Sequence, residues 1–171
     1  MVGYTRNDSI NPAKKLVNIT YEMSVASAQV KSAILIAGLH LEDEAIVIEK
    51  DKTRDHTELM LGLPVKAEDE KIISSSSLKY YPAAKEYFIP GDISTSAFHI
   101  VLTLLTNNSE IKINNVSLNP TRTGFIELLK QMGADIRYED VKYSSNEPYG
   151  NVFVKSSNLR NVKIDSEIIT N

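Results

Sequence analysis

Val25 to Glu58 reads V-A-S-A-Q-V-K-S-A-I-L-I-A-G-L-H-L-E-D-E-A-I-V-I-E-K-D-K-T-R-D-H-T-E, and the order of patterns in this stretch decides the fold. Ser27 stands just ahead of an apolar run, where an N-cap hydroxyl accepts from a free backbone N–H of the first helical turn. Val30, Ala33, Ile34 and Ala37 follow helical spacing, while Leu35, Ile36 and Leu39 fill the other side. The spacing therefore predicts a helix over 25–39, apolar nearly all round and buried, with Gly38 near its end as terminator. Glu42-Asp43-Glu44 makes a solvated turn, and Ala45–Ile48 reads as a strand. Thr53 is expected to cap a short second helix reaching about Leu61, with Asp55 in its first turn where the dipole favours a carboxylate.

Only the start of the first helix carries chemistry. Ser27, Gln29 and Lys31 lie beside N–H groups that lack intrahelical partners and bear the positive end of the dipole, an arrangement suited to an anion. The plainer reading is that Ser27 caps and Lys31 extends its ammonium to solvent.

Outward from this stretch, the chain is mixed α/β. Residues 1–15 are polar and turn-rich, and an edge strand is expected around Leu16–Ile19. Strand content is expected at Lys71–Ile73 and near Tyr80-Tyr81, with the serines Ser74–Ser77 read as a loop. Tyr87–Ile89 is expected as a short strand ended by Pro90-Gly91. A second apolar helix, opened by Ser94 or Ser96, covers Ala97–Leu105. Ile111–Ile113 alternates as a strand. Asn119-Pro120 reads as N-cap and first helical residue of a helix carrying Phe125, Leu128, Leu129 and Met132 and stopped by Gly133. Asp135–Tyr138, Val152–Val154 and Val162–Ile164 complete the expected strands. Thr121-Arg122 repeats Thr53-Arg54 68 residues further on, each after a capped apolar helix, a turn and a strand. The chain is thus expected to hold two copies of one βαβαββ unit.

Composition narrows the function. Hydrophobic residues make up 42% and charged residues 24% of 171, within the soluble globular range. Nineteen Lys and Arg against 22 Asp and Glu give a net charge of -3, so no basic footprint argues for nucleic acid. The chain has no cysteine and three scattered histidines, which removes disulfides and thiolate chemistry and offers no metal motif. The longest apolar run, 33–39, falls far short of the roughly 20 residues of a membrane span. The polar 1–15 segment lacks the apolar centre of a secretory leader, so the expected address is the cytoplasm.

Four motifs in order, S-A-Q-V-K-S-A with A-G-L, T-R-D-H-T-E, P-G-D-I-S and N-P-T-R-T-G, resemble the 5-enolpyruvylshikimate-3-phosphate synthase family in its bacterial, S-A-Q-containing branch. The resemblance runs from about Ile19 to the end and matches the middle of a longer protein. It implies an inside-out α/β barrel of βαβαββ units, helices buried and sheets outside, incomplete in this chain. It implies that residues 1–87 are the last part of a first domain and 88–171 the start of a second, with a hinge near 88–94 that includes Asp92. The family moves the enolpyruvyl group of phosphoenolpyruvate to the 5-hydroxyl of shikimate 3-phosphate, without metal or cofactor. By matched positions, Ser27, Ala28, Gln29 and Arg54 are the expected shikimate 3-phosphate contacts, and Gln29 also reaches phosphoenolpyruvate.

Other residues are expected to play plainer parts. Asp55 and Glu58 cap and solvate a helix, His56 serves either a local hydrogen-bond network or the ligand, and His99 is a satisfied core histidine. Arg122 is expected to face the interior of the second domain. The family's Lys-Ser pair, Asn-x-Gly-Thr loop, catalytic Asp-Glu-Leu-Pro segment and Lys-Glu-Ser-Asp-Arg motif have no counterpart here. No catalytic residue is therefore assigned, and the chain alone is expected to be inactive. The alternatives are a phosphate-binding chain without catalysis, and a relative of UDP-N-acetylglucosamine enolpyruvyl transferase, which lacks the paired S-A-Q and T-R-D-H-T-E motifs. The full-length enzyme is expected to be a monomer with neither membrane nor nucleic acid as partner. The open repeat units are expected to make this chain self-associate.

Overall fold

The computed structural model describes residues 17–163. It contains two units in succession, each with its own sheet and its own core. The first runs β1 (Ile19–Glu22), α1 (Ala28–Gly38), β2 (Ala45–Glu49), α2 (His56–Leu61), β3 (Val65–Glu68) and β4 (Lys71–Ser76). Its sheet has the order β1-β2-β4-β3, parallel between β1 and β2 and antiparallel elsewhere. The second runs α3 (Ile93–Leu105), β5 (Glu110–Ser117), α4 (Gly124–Gln131), β6 (Asp135–Ser144) and β7 (Glu147–Lys155), with sheet order β5-β7-β6. A single parallel bridge, Gly91 with Val116, stands where the first unit has β1. Both units therefore follow the βαβαββ plan, the second with its first strand reduced to one bridge. Each closes on a two-residue hairpin turn with positive φ at both positions, Asp69-Glu70 and Ser145-Asn146.

Local sequence explains most boundaries. Ser27 is the N-cap of α1 and accepts from the Val30 N–H at 3.4 Å. In β2, Ala45, Val47 and Glu49 are buried and Ile46 and Ile48 half-buried, the pattern of a strand covered on both faces. Asp92, not Ser94 or Ser96, caps α3. Its carboxylate accepts from the Ser94 N–H at 3.0 Å and the Thr95 hydroxyl at 3.1 Å, so the helix starts at Ile93.

Several expectations give way to packing. Ser74 and Ser76 are buried in β4, between β2 and β3, rather than in a loop. Small residues are needed there because α1 lies close: a Cβ on Gly38 would come within 2.1 Å of Ser76 Oγ, and that hydroxyl donates to Leu35 O at 2.7 Å. Asn119 caps a turn, not α4, accepting from the N–H and hydroxyl of Thr121, so α4 begins only at Gly124. Residues 78–80 form a 3-10 turn, and 87–89 pair with no strand. Val162 and Lys163 lie outside any strand, while Ile164 and the 1–15 segment fall outside the described residues.

The two cores are Met23, Leu35, Leu39, Val47 and Leu63 in the first unit and a larger set around Ile93, Ile100, Leu104, Ile126 and Val152 in the second. Each fully buried Ile or Leu of this kind contributes about 1.5–3 kcal/mol. Neither long helix is buried all round. Val30 and Ile36 of α1 are a little under half exposed, and on α3 Phe98 is 79%, Leu102 66% and Leu105 68% exposed, because within the described residues only one face of each helix meets a sheet. His99, on the open side of α3, is exposed rather than a core residue.

Candidate functional site

The first helix turn and the Thr53-Arg54 loop are held together from beneath by a buried ion cluster. Lys31 does not extend to solvent; it is 1% exposed, with Nζ 2.9 Å from Glu49 Oε2 and 2.7 Å from Glu58 Oε1. The other oxygen of Glu49 accepts from the Thr53 N–H at 3.2 Å and from the Thr53 hydroxyl. Thr53 thus anchors the loop to β2 instead of capping α2, and Glu58 is buried rather than solvated. The result is that Arg54 is carried beside the N-terminus of α1. Ser27 and Ala28 are half-buried there and Gln29 is exposed.

These residues line a cavity of about 530 Å³, and the second unit supplies its remaining walls. Ser27, Ala28, Gln29, Thr53 and Arg54 come from the first unit, and Ser94, Thr121, Arg122 and Phe125 from the second. All four residues assigned to shikimate 3-phosphate are therefore brought together. Lys52, Arg54 and Arg122 stand against the single carboxylate of Asp51 in this lining, an excess of positive charge in a protein that is negative overall. Among the described residues, the Arg54 guanidinium has no ion-pair partner, whereas Arg122 donates to Ser94 Oγ and, at 3.4 Å, to Asp92 Oδ1. Hydroxyls, an amide, cations and the free N–H groups at the start of α1 make a surface for gripping an anion.

Arg122 corrects the expectation that it faces away into the second unit. The signal for it was present in the Thr-Arg repeat, since two copies of one unit, facing each other, bring both arginines to one cavity. Ser94, which the sequence offers only as a possible cap, joins the cavity wall. Asp92 lies behind it, its carboxyl held below the usual carboxylate range chiefly by the Ser94 N–H, then by the Thr95 hydroxyl and Arg122, against the opposing effect of burial.

Beside the cavity the two units meet through polar side chains. Asn119 donates from Nδ2 to Asp55 Oδ1 at 2.9 Å and to Glu147 Oε1 at 2.8 Å, and His56 Nδ1 pairs with the same Glu147 oxygen. Asn146 Nδ2 adds a bond to Leu59 O at 3.1 Å. His56 thus belongs to a hydrogen-bond network. Burial opposes the charge on Glu147, but the bonds from His56 and Asn119 outweigh it and hold the carboxyl below its usual range. Among the described residues, no group of three His, Cys, Asp or Glu is placed to hold a metal ion, and no helix is long and apolar enough to cross a membrane.

The family model for EPSP synthase (3-phosphoshikimate 1-carboxyvinyltransferase) matches residues 2–169. The 3-phosphoshikimate 1-carboxyvinyltransferase of Petrotoga mobilis is 46% identical over 159 residues, which is 91% of this chain and 37% of that protein. That of Bacillus licheniformis is 45% identical over 154 residues, covering 88% and 36%. The solved EPSP synthase from Acinetobacter baumannii superposes with a TM-score of 0.75 at 40% identity, covering 91% of this chain and 36% of that one. The chain spans a little over a third of the length of these relatives, and its two units are part of an inside-out α/β barrel fold. With both arginine copies and the S-A-Q helix start gathered at one cavity, and with the match running over nearly all of its length, the chain belongs to the EPSP synthase family.

Proposed function

We propose that this chain forms the shikimate 3-phosphate side of the substrate cleft of a 3-phosphoshikimate 1-carboxyvinyltransferase, which moves the enolpyruvyl group of phosphoenolpyruvate to the 5-hydroxyl of shikimate 3-phosphate. The observation that carries this reading is the convergence of Ser27, Ala28, Gln29 and Arg54 on one positively charged cavity. The helix start offers N–H groups and the Ser27 hydroxyl to the phosphate, and Arg54 grips it bidentately from another side. Gln29, exposed at the rim, reaches toward phosphoenolpyruvate. Residues 1–87 complete one domain and 88–171 open the next, with Asp92 at the hinge; the separate cores of the two units support that division. The enzyme works in the cytoplasm as a monomer.

Calorimetric titration of the chain with shikimate 3-phosphate tests the reading. Binding is expected, and Arg54→Ala is expected to weaken it at least about tenfold, because charge-assisted hydrogen bonds are worth about 1.5–3 kcal/mol. Affinity indifferent to that change overturns the assignment.

A further inference from the structure

Asn119 is fully buried, and its side-chain amide is satisfied on both ends by Asp55 and Thr121, which adjoin the two cavity arginines, and by Glu147. Its Oδ1 accepts from the N–H of Thr121 at 2.8 Å and the hydroxyl of Thr121 at 2.7 Å, and Thr121 precedes Arg122. Its Nδ2 donates one hydrogen to Asp55, which follows Arg54, and the other to Glu147 at the start of β7. The orientation of the amide is fixed by these partners, since the flipped form would turn an oxygen toward two carboxylates and an NH₂ toward an N–H donor.

The same geometry creates a conflict that Asn119 resolves. Asp55 and Glu147 come from different units and both lie within hydrogen-bond reach of one nitrogen, so their like charges repel. Lys52, 3.7 Å from Asp55, and His56, on Glu147, offset part of this from the rim, but among the described residues only Asn119 donates to both carboxylates. Without its two donors the repulsion acts to separate α2 from β7.

We propose that Asn119 is a positioning residue: by donating to Asp55 and Glu147 while capping Thr121, it fixes the relative orientation of the two units and so the spacing of Arg54 and Arg122 across the cavity. The importance of that spacing for substrate rests on the function proposed above, but the fixing of the units does not. Asp55 and His56 of T-R-D-H-T-E then serve to lock the arginine that precedes them to the opposite unit.

The test uses the full 171-residue chain, which contains no cysteine, with spin labels on Glu68→Cys in β3 and Lys142→Cys in β6. Asn119→Asp keeps the oxygen that caps Thr121 and replaces the donor with a third carboxylate oxygen facing Asp55 and Glu147. The expected result is a longer and broader inter-label distance with far-UV circular dichroism unchanged, and shikimate 3-phosphate affinity lowered about tenfold. Adding Glu147→Gln exchanges donor and acceptor across the same contact, and is expected to bring the distance back toward that of the parent. A folded Asn119→Asp protein with the parent's distance distribution overturns the proposal, whatever happens to binding. If Asn119→Asp does not fold, Glu147→Ala on the hairpin decides: a widened distribution supports the role of the network, and an unchanged one overturns it. If the parent chain fails to bind shikimate 3-phosphate, the substrate reading fails, while the distance measurement still judges Asn119.

Discussion

Lys31 Nζ lies 2.7 Å from Glu58 Oε1 in the interior of the first unit, joining the opening turn of α1 to the helix that follows Arg54. With Glu49 as the second partner, this places one buried cation between two buried carboxylates. Removing the cation strands both. Lys31→Met is expected to lower stability by about 3–5 kcal/mol, the usual cost of breaking a buried pair. The triple variant Lys31→Met/Glu49→Gln/Glu58→Gln is expected to recover most of it, because neutral amides leave no uncompensated charge. Urea denaturation midpoints of the two variants give the comparison.

Gly38→Ala sets helix propensity against space. Alanine in a helix gains about 1 kcal/mol over glycine. Its Cβ would meet Ser76 Oγ at 2.1 Å and Ala45 Cβ at 2.6 Å, and the Ser76 hydroxyl is committed to Leu35 O. Neither neighbour can yield cheaply, so overpacking wins, and a net loss of about 1–3 kcal/mol is expected in thermal or chemical unfolding.

Acid should loosen the contact between the units. The Glu147 carboxyl is held below its ordinary value of 4.5, with Asn119, His56 and, as a repelling neighbour, Asp55 facing it. A depressed carboxyl contributes stability that is complete above the unfolded value and is lost as pH falls through the folded one. From pH 7 to 5 its contribution should therefore hold, and below about 4.5 it should decline. The difference in denaturation midpoint between the parent and Glu147→Gln is expected to shrink over that lower range; a difference that grows on acidification would reverse the sign assigned here.

The open face of α3 should make the chain associate. Phe98, Leu102 and Leu105 fall at i, i+4 and i+7 and are all largely exposed, a continuous apolar stripe. Phe98→Lys/Leu102→Lys is expected to lower light scattering at a given concentration while changing unfolding free energy by no more than about 0.5 kcal/mol per site, the usual effect of surface substitutions.

Much of this was legible from one dimension. Helix and strand periods, the Ser27 cap and the Thr-Arg repeat lead directly to two βαβαββ units and to the helix start that lines the candidate cavity. What escaped was set by tertiary neighbours. Lys31 and Glu58 look like surface charges until β2 brings Glu49 beneath them. Ser74–Ser76 has the composition of a turn, and is part of a central strand because β2 and β3 pair with it on either side, with small side chains where α1 approaches closely. Asn119 before proline has the form of a helix cap, yet its amide donates to Asp55 of the other unit and to Glu147, far along the chain in its own. Arg122 was placed in the wrong direction because a repeat specifies equivalence within each unit, not how two units face each other.

Each unit encloses its own apolar centre, and among the described residues the two are joined by the segment that follows the 3-10 turn and by the bonds of Asn119, His56 and Asn146. Melting of such an architecture divides into cooperative blocks whose coupling is no stronger than the contacts between them. Heat should therefore dissolve the smaller core of the first unit before the larger core of the second, leaving an intermediate in which α3 to β7 stay ordered while the helix start bearing Ser27 and Gln29 is already lost.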